Sequence, residues 1–336
     1  MIIFSLKGML PVIGDGTYEW TGFVPHADLP QVFNPVEGYV ITANNRIPPY
    51  GYKYHIAHDW VSPQRFNRIF EMTNAKAKVS LEDMIAFQMD VQSNLFQNLK
   101  YVFTSMNSTN KDWQTKLANW DGIENLTSQE ATIFEKWLKY MSKLPEKEIG
   151  FPRDDLIWLV SAMKRNDSTC GNFHGKSCLQ YAADSFDNAI SDLKKTYSSS
   201  IPAWGSVHTS YFPHRIFSNI QALNCLTSSS TKTIGGTATV NVAASNENFV
   251  TTHAASYRQI IDFSDYEKSK FIFAPGQDGN PFALGYSNFI PLWRDGKYLS
   301  FSEENKKLKR ENELLNEIIS NQKEIIKQLK EKLKNS

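Results

Sequence analysis

The sequence predicts an α+β chain: a helical middle, about residues 63–200, set between two ends of loops and short strands, with one long helix at the C-terminus. Three observations predict it. Apolar residues take up helical spacing at Pro63, they return to alternation after Pro202, and the tail ENKKLKRENELLNEIISNQKEIIKQLKEKL contains neither Gly nor Pro. The expected division is a body over 1–302 and a helix over 303–336.

Residues 1–37 are short apolar pieces broken by GDG, PH, LP and NPVEG, which read as loops with brief strands. The first predicted strand is 38–43, in GYVITANN. From Pro63, QRFNRIFEM puts Phe66, Ile69 and Phe70 on one helical side. In SLEDMIAFQMDVQS, Ser80 stands three residues before Asp83, an N-cap with an acidic partner. Further helices are expected at 111–119, over TSQEATIFEKWLKYM with Thr127 or Ser128 as cap, at 152–164 and at 176–195. After Pro202, GGTATVNV alternates Thr237, Thr239 and Asn241 against Ala238, Val240 and Val242, which predicts a strand over 237–243. YRQIIDF at 257–263 and KFIFAPG at 270–276 predict two more.

The tail sorts into heptads. Leu308, Leu315, Gln322 and Leu329 fall at d, and Asn312, Ile319, Ile326 and Leu333 at a. Ile at a with Leu at d favours a parallel dimer, and a single Asn at a sets register. A homo-oligomer through residues 304–334 is one expectation. The other is a helix that lies on its own body through Leu315, Ile318 and Ile326.

With 36 basic and 35 acidic residues in 336, the net charge is +1, and no basic field outside the tail marks a nucleic-acid surface. The longest apolar runs, such as Leu156–Val160, are far too short to span a bilayer. The N-terminus lacks the charged, apolar and small-residue regions of a signal peptide, so the sequence itself sets no compartment. Three cysteines make no disulfide framework. Cys170 and Cys178, in CGNFHGKSC, are close enough for a local bridge in an oxidising compartment or can remain two free thiols. Zinc on Cys170, His174 and Cys178 lacks a fourth ligand. The sequons at Asn107, Asn125 and Asn166 matter only in a eukaryotic secretory pathway.

Asn44 and Asn45 end the 38–43 segment. An Asn there is ordinarily a cap or turn residue, but it can also be a neutral donor aimed at a developing oxyanion. The stretch alone favours the cap. No GxSxG elbow is present, and His208 and His214 lie near Ser206 and Ser210 without an evident acidic third member.

Several blocks taken together, YEWTGFVPHADLPQVFNPVEGYVITANNR, DWVSPQRFNRI, SLEDMIAFQMD, NWDG, WGSVH, ASYRQIIDF and PGQDGNPF, resemble the penicillin acylase family of N-terminal nucleophile hydrolases. The resemblance covers about residues 8 to 302 and matches the later part of the large catalytic subunit. It implies a partial sandwich of that fold and an activity on linear acyl amides, in which a Ser exposed by self-cleavage is nucleophile and its own α-amine is base. It gives Asn44 the oxyanion-donor role and Arg65 the role of orienting Asn44, although Arg65 could instead pair with Asp59 or Asp83. Asn45, on the opposite face, is expected to tie down the RIPPYGY loop. The CxxxxxxxC loop resembles a disulfide-bearing loop of exported relatives, which implies a Cys170–Cys178 bridge. The family's compartment is periplasmic or secreted.

Departures from the family pattern carry further expectations. The stretch that bears the nucleophile and the small subunit has no counterpart here, and Ser5, inside an apolar segment, is not placed as an N-terminal nucleophile. No nucleophile is therefore assigned. GQDGNPFALGYSNF has Asp278 and Gly285 where the family carries Ser and His. Tyr54 stands where an Asp ligand for calcium is expected, so that site is expected to be incomplete and no cofactor is assigned. Two functions follow. One is a truncated or split amidohydrolase portion, inactive alone, that needs the nucleophile-bearing portion and the small subunit as partners. The other is a non-catalytic interaction module that self-associates through its tail. β-Lactam side chains, acyl-homoserine lactones and acyl amino acids all stay open as substrates.

Overall fold

The computed structural model describes residues 11–19, 22–57, 60–142, 156–165 and 176–301 and, in the tail, 310–311, 314–320, 322–323 and 326–327. Two compact units emerge. The first comprises Met1–Lys78, Asp90–Thr209 and Thr233–His253, and the second Val79–Met89, Ser210–Lys232 and Ala254–Ser336.

The first unit is mainly helical: α1 (Gln64–Asn74), α3 (Asn94–Ser105), α4 (Lys111–Asn119), α5 (Gln129–Met141), α6 (Leu156–Arg165), α7 (Cys178–Thr196) and the short α8 (Trp204–Val207). Local chemistry sets most of the starts. Ser93, Ser128 and Ser177 each accept a hydrogen bond from the backbone N–H three residues on, which satisfies a donor that a helix N-terminus leaves open. Apolar stripes do the rest. Ile133, Phe134, Trp137, Leu138 and Met141 of α5 are buried, as are Ala182, Phe186, Ala189, Ile190 and Leu193 of α7.

Between these helices sits an aromatic centre. Phe103 lies 4.9 Å from Trp137 and 5.8 Å from Phe186, and Phe96 lies 4.4 Å from Trp120 and 5.2 Å from Phe134, measured between ring centroids. Each such side chain contributes about 2–3 kcal/mol by leaving water. The indole N–H groups are also satisfied: Trp137 donates to the Ala182 carbonyl and Trp204 to that of Gly235. α3, which carries Phe96 and Phe103, is not among the expected helices.

Two expected strands of this unit are absent. Along residues 39–42, Tyr39 and Ile41 are half-buried while Val40 and Thr42 are exposed, so the expected alternation is present. No described strand pairs with the segment, so it makes no ladder. In 237–243 the alternation comes from a folded turn. The Thr239 hydroxyl accepts from the Gly236 N–H and donates to the Asn241 carbonyl, and Thr237 bonds the Glu135 carboxylate through both N–H and hydroxyl. Hydroxyls that bond nearby backbone compete with a ladder, and here they prevail. Only β3 (Ala243–Ser245) begins at the end of that stretch, and it lies beside β4 (Val250–Ala254).

The second unit contains α2 (Leu81–Gln88), β1 (Thr209–Phe212), α9 (Gln221–Thr227), β2 (Ser229–Lys232), β5 (Tyr257–Ile260), β6 (Lys270–Phe273), α10 (Ile290–Arg294) and β7 (Leu299–Ser300). Ser80 and Asp83 form the expected capping box of α2, each side chain accepting the other's backbone N–H. β2 lies beside β1, and β5, β6 and β7 form an antiparallel meander in which Tyr257 faces Phe273 and Lys270 faces Ser300. β5 therefore ends at Ile260 and β6 at Phe273, short of the expected limits. Arg258 of β5 is buried over the Trp293 ring and donates to the Trp293 carbonyl at 2.7 Å. The described stretches of the tail are helical, and none of the described helices is long and apolar enough to cross a membrane.

Candidate active site

α1 is the platform of the site. Three polar pairs on one of its faces bind it to α3 and the segment just before it. Arg68 clasps the Asp90 carboxylate with two bonds of 3.0 and 2.7 Å, Glu71 accepts from Asn94, and Gln64 accepts from Asn98. The bidentate geometry holds α1 against rotation. Arg65, one residue into the helix, is left to face the 39–46 loop.

That loop is pinned at four points. The Tyr39 hydroxyl donates to Asn74 at 2.7 Å, and its ring meets Phe70 edge-on. Asn45 is buried; its Oδ1 accepts from the Ala43 N–H and its Nδ2 donates to the Arg46 carbonyl, so it closes the turn over 43–46. The Val61 N–H donates to the Asn44 carbonyl at 3.0 Å. Arg65 donates through Nη2 to the Ala43 carbonyl at 3.0 Å and to Asn44 Oδ1 at 2.9 Å.

Asn44 has a φ of +63°, in the left-handed region that Asn tolerates better than most residues. It is exposed, and its side chain reaches Arg65 rather than its own backbone. A guanidinium can only donate, so Oδ1 must face Arg65 and Nδ2 must face away. That amide nitrogen has no partner among the described residues. The arrangement is a neutral donor, held by a cation that polarises it further, presented to solvent. Burial lowers the Arg65 guanidinium from its usual value, yet it stays charged. Of the alternative partners, Asp83 is engaged in its capping box and Asp59 lies outside the described residues.

The imidazoles near Ser206 and Ser210 make no serine hydrolase site. His208 is buried, stacks on Trp204 at 4.1 Å and pairs its Nδ1 with the Phe249 carbonyl. Burial drives its pKa down to about 4, and the Lys139 charge adds to this against the Phe249 bond. His214 accepts the N–H groups of Ile216 and Phe217 on Nδ1.

Tyr54, which stands where a calcium ligand is expected, is engaged within the chain. Tyr54 donates to Asp28 at 2.9 Å, and the Lys53 ammonium sits on the same carboxylate oxygen. The carboxylate is thereby neutralised by the chain itself. Among the described residues no three His, Cys, Asp or Glu side chains converge as metal ligands. Cys178, at the start of α7, is buried and takes part in a disulfide; Cys170 lies outside the described residues.

One constellation escaped sequence reasoning. Glu124 and Glu135 are both buried, and their oxygens converge over Gly236, where a Cβ would sit 1.9 Å from Glu124 Oε2 and 2.3 Å from Glu135 Oε1. Its signal was present: Glu135 falls on the apolar stripe of α5, between Ala131 and Leu138.

A family profile described as penicillin amidase matches residues 3–310. Penicillin acylase 2 proenzyme of a Pseudomonas species is 24% identical over 315 residues, which covers 86% of this chain and 40% of that protein. Acyl-homoserine lactone acylase QuiP of Pseudomonas syringae pv. tomato is 26% identical over 336 residues, with 88% and 40% covered. Among solved structures, a thermostable penicillin G acylase from Alcaligenes faecalis superimposes with a TM-score of 0.55 at 15% identity, over 92% of this chain and 61% of that one. The chain thus spans about 40% of the length of these curated relatives.

Proposed function

The chain belongs to the penicillin amidase family, and from that premise we propose that it supplies the oxyanion-stabilising part of an acyl-amide hydrolase site whose nucleophile comes from polypeptide outside this chain. The Arg65–Asn44 hydrogen bond carries the proposal, because it orients the amide so that only its N–H2 faces outward. When a nucleophile adds to an acyl amide, negative charge develops on the carbonyl oxygen, and a fixed donor there needs no reorganisation as the charge appears. Arg65 acts through Asn44 as a positioning residue.

The surroundings support a partner surface. Phe33, Val36 and Tyr50, in the loops on either side of Asn44, are each at least 97% exposed, and Val40 is exposed as well. So much apolar surface in one loop region calls for cover. The substrate class is a linear acyl amide. Relatives named for penicillin and for acyl-homoserine lactones leave the acyl group open.

The test is reconstitution. The chain alone should not hydrolyse acyl amides, since stabilisation without a nucleophile leaves most of the barrier standing. Combined with a nucleophile-bearing portion and small subunit of the family, it should. In that system Asn44→Ala should lower kcat about a hundredfold or more, with KM moving less. An unchanged kcat would return Asn44 to a plain turn residue.

A further inference from the structure

Residues 311–336 lie beyond the family match, which ends at 310. In this segment the described stretches are helical, and Leu314, Leu315, Ile318, Ile319 and Ile326 are 46–59% exposed. A helix that keeps a row of Leu and Ile in water has little to hold it, because most helical stability in proteins comes from burying the apolar face. The row repeats at 3.5 residues, the spacing of a seam between helices. From Leu308 to Leu333 a continuous helix would run about 38 Å.

We propose that residues 308–333 pair in parallel and in register with the same segment of a second copy of this chain. The a and d layers are self-complementary, with Leu315, Ile319, Ile326, Leu329 and Leu333 meeting their own symmetry mates. Asn312 at a meets Asn312 of the second copy and Gln322 at d meets Gln322, so that amides satisfy each other; an apolar layer opposite either would leave a buried amide unpaired. Charge also selects this orientation. In a parallel pair each g residue faces the e residue five positions on, which sets Glu304 beside Lys309 and lays the lysine stems of 323 and 330 over Ile318 and Ile325. An antiparallel pair would face the row Lys309, Asn316, Lys323, Lys330 with the same row of its partner, so like charges would meet. A lipid surface is a poorer occupant: residues 304–336 contain no aromatic residue, and acidic residues interrupt the basic face.

The experiment uses the full chain. Sedimentation equilibrium from about 1 to 100 μM should show a mass rising from 38.4 kDa to twice that value. Charges placed in the seam by Ile319→Glu with Ile326→Glu should keep the chain monomeric over that range, with the circular dichroism of the body unchanged. Asn312→Cys should form a disulfide-linked dimer under mild oxidant, absent from the wild-type chain and from the Ile319→Glu, Ile326→Glu background. Monomer mass throughout, a trimer mass, a dimer that survives both Glu substitutions, or a dimer in which Cys at 312 does not crosslink would each overturn the proposal. None of these results depends on hydrolytic activity, so the proposal stands or falls apart from the enzymatic one.

Discussion

Replacing Glu124 by Gln tests the most unusual electrostatic feature of the first unit. Glu124 is fully buried and Glu135 is 1% exposed. The Glu135 carboxylate is already met, with Oε1 and Oε2 each accepting a 3.0 Å bond from Thr237. Neither oxygen of Glu124 makes a hydrogen bond; the Ser93 hydroxyl beside it falls short of that geometry. Burial first, and then the Glu135 charge, push the Glu124 carboxyl well above the usual carboxylate range, and Ser93 offsets this only in part. The Glu124 carboxyl therefore holds its proton to a higher pH than an ordinary Glu does. Glu124 Oε2 and Glu135 Oε1 both face the space over Gly236.

The sign and size follow from linkage. An unfolded Glu ionises near pH 4.3, so above that pH the unfolded chain has released a proton that the folded chain retains. Stability associated with this group is full below about pH 4 and is lost as pH rises toward the folded pKa, at about 1.4 kcal/mol per pH unit. The window opens at about pH 4 and runs up to the folded value. Glu124→Gln cannot ionise, so its stability should lack this slope. Urea unfolding of both proteins across that range is the assay, with the wild-type minus variant difference read at each pH. The gap should widen tenfold in equilibrium constant per unit, in favour of the variant. A constant gap would mean that burial does not raise the Glu124 carboxyl, and the reasoning would be refuted.

Other charged groups set limits on the acid side. Burial raises the Asp187 carboxyl, but bonds from Asn110, Ser108 and Thr109 outweigh it and hold its pKa at about 2. Asp187→Asn should cost about 1–2 kcal/mol at pH 7, a figure reduced for solvent exposure; wild type should lose that advantage as pH falls from about 4 to about 2, and equal urea midpoints at pH 7 would contradict this. His208, held neutral with a pKa of about 4, contributes stability that is complete above pH 6.5 and is lost as pH falls through the folded value. Unfolding free energy should drop by about 2 kcal/mol between pH 6.5 and pH 5 on its account, and a resonance assigned to the His208 ring that titrates near pH 6.5 in the folded chain would exclude it.

What the sequence reveals here tracks how local each cause is. The box of Ser80 and Asp83 and the cap at Ser128 involve residues three apart, so the pattern contains the interaction. α3 went unseen because its apolar residues, from Leu95 to Phe103, follow directly on the polar end of the preceding helical run, with only Ser93 to mark the new start. The misread strands at 38–43 and 237–243 show a different limit. Alternation reports which side chains are buried, and it is silent on whether a neighbouring strand exists or whether Thr239 and Thr237 turn their hydroxyls on nearby groups. For the site, the Asn pair was visible and the resemblance supplied Arg65, but the left-handed backbone of Asn44 was not visible, nor was the direction of its amide. Both depend on contacts made across the fold: Val61 on the Asn44 carbonyl, and Arg65 on its side chain, twenty-one positions away. Arg65 is placed in turn by the clasp of Arg68 on Asp90 and the pairs at Glu71 and Gln64. The outward amide is thus fixed by helix α1 rather than by the loop that bears it, so a change that loosens α1 on α3 should disorder the donor without touching it.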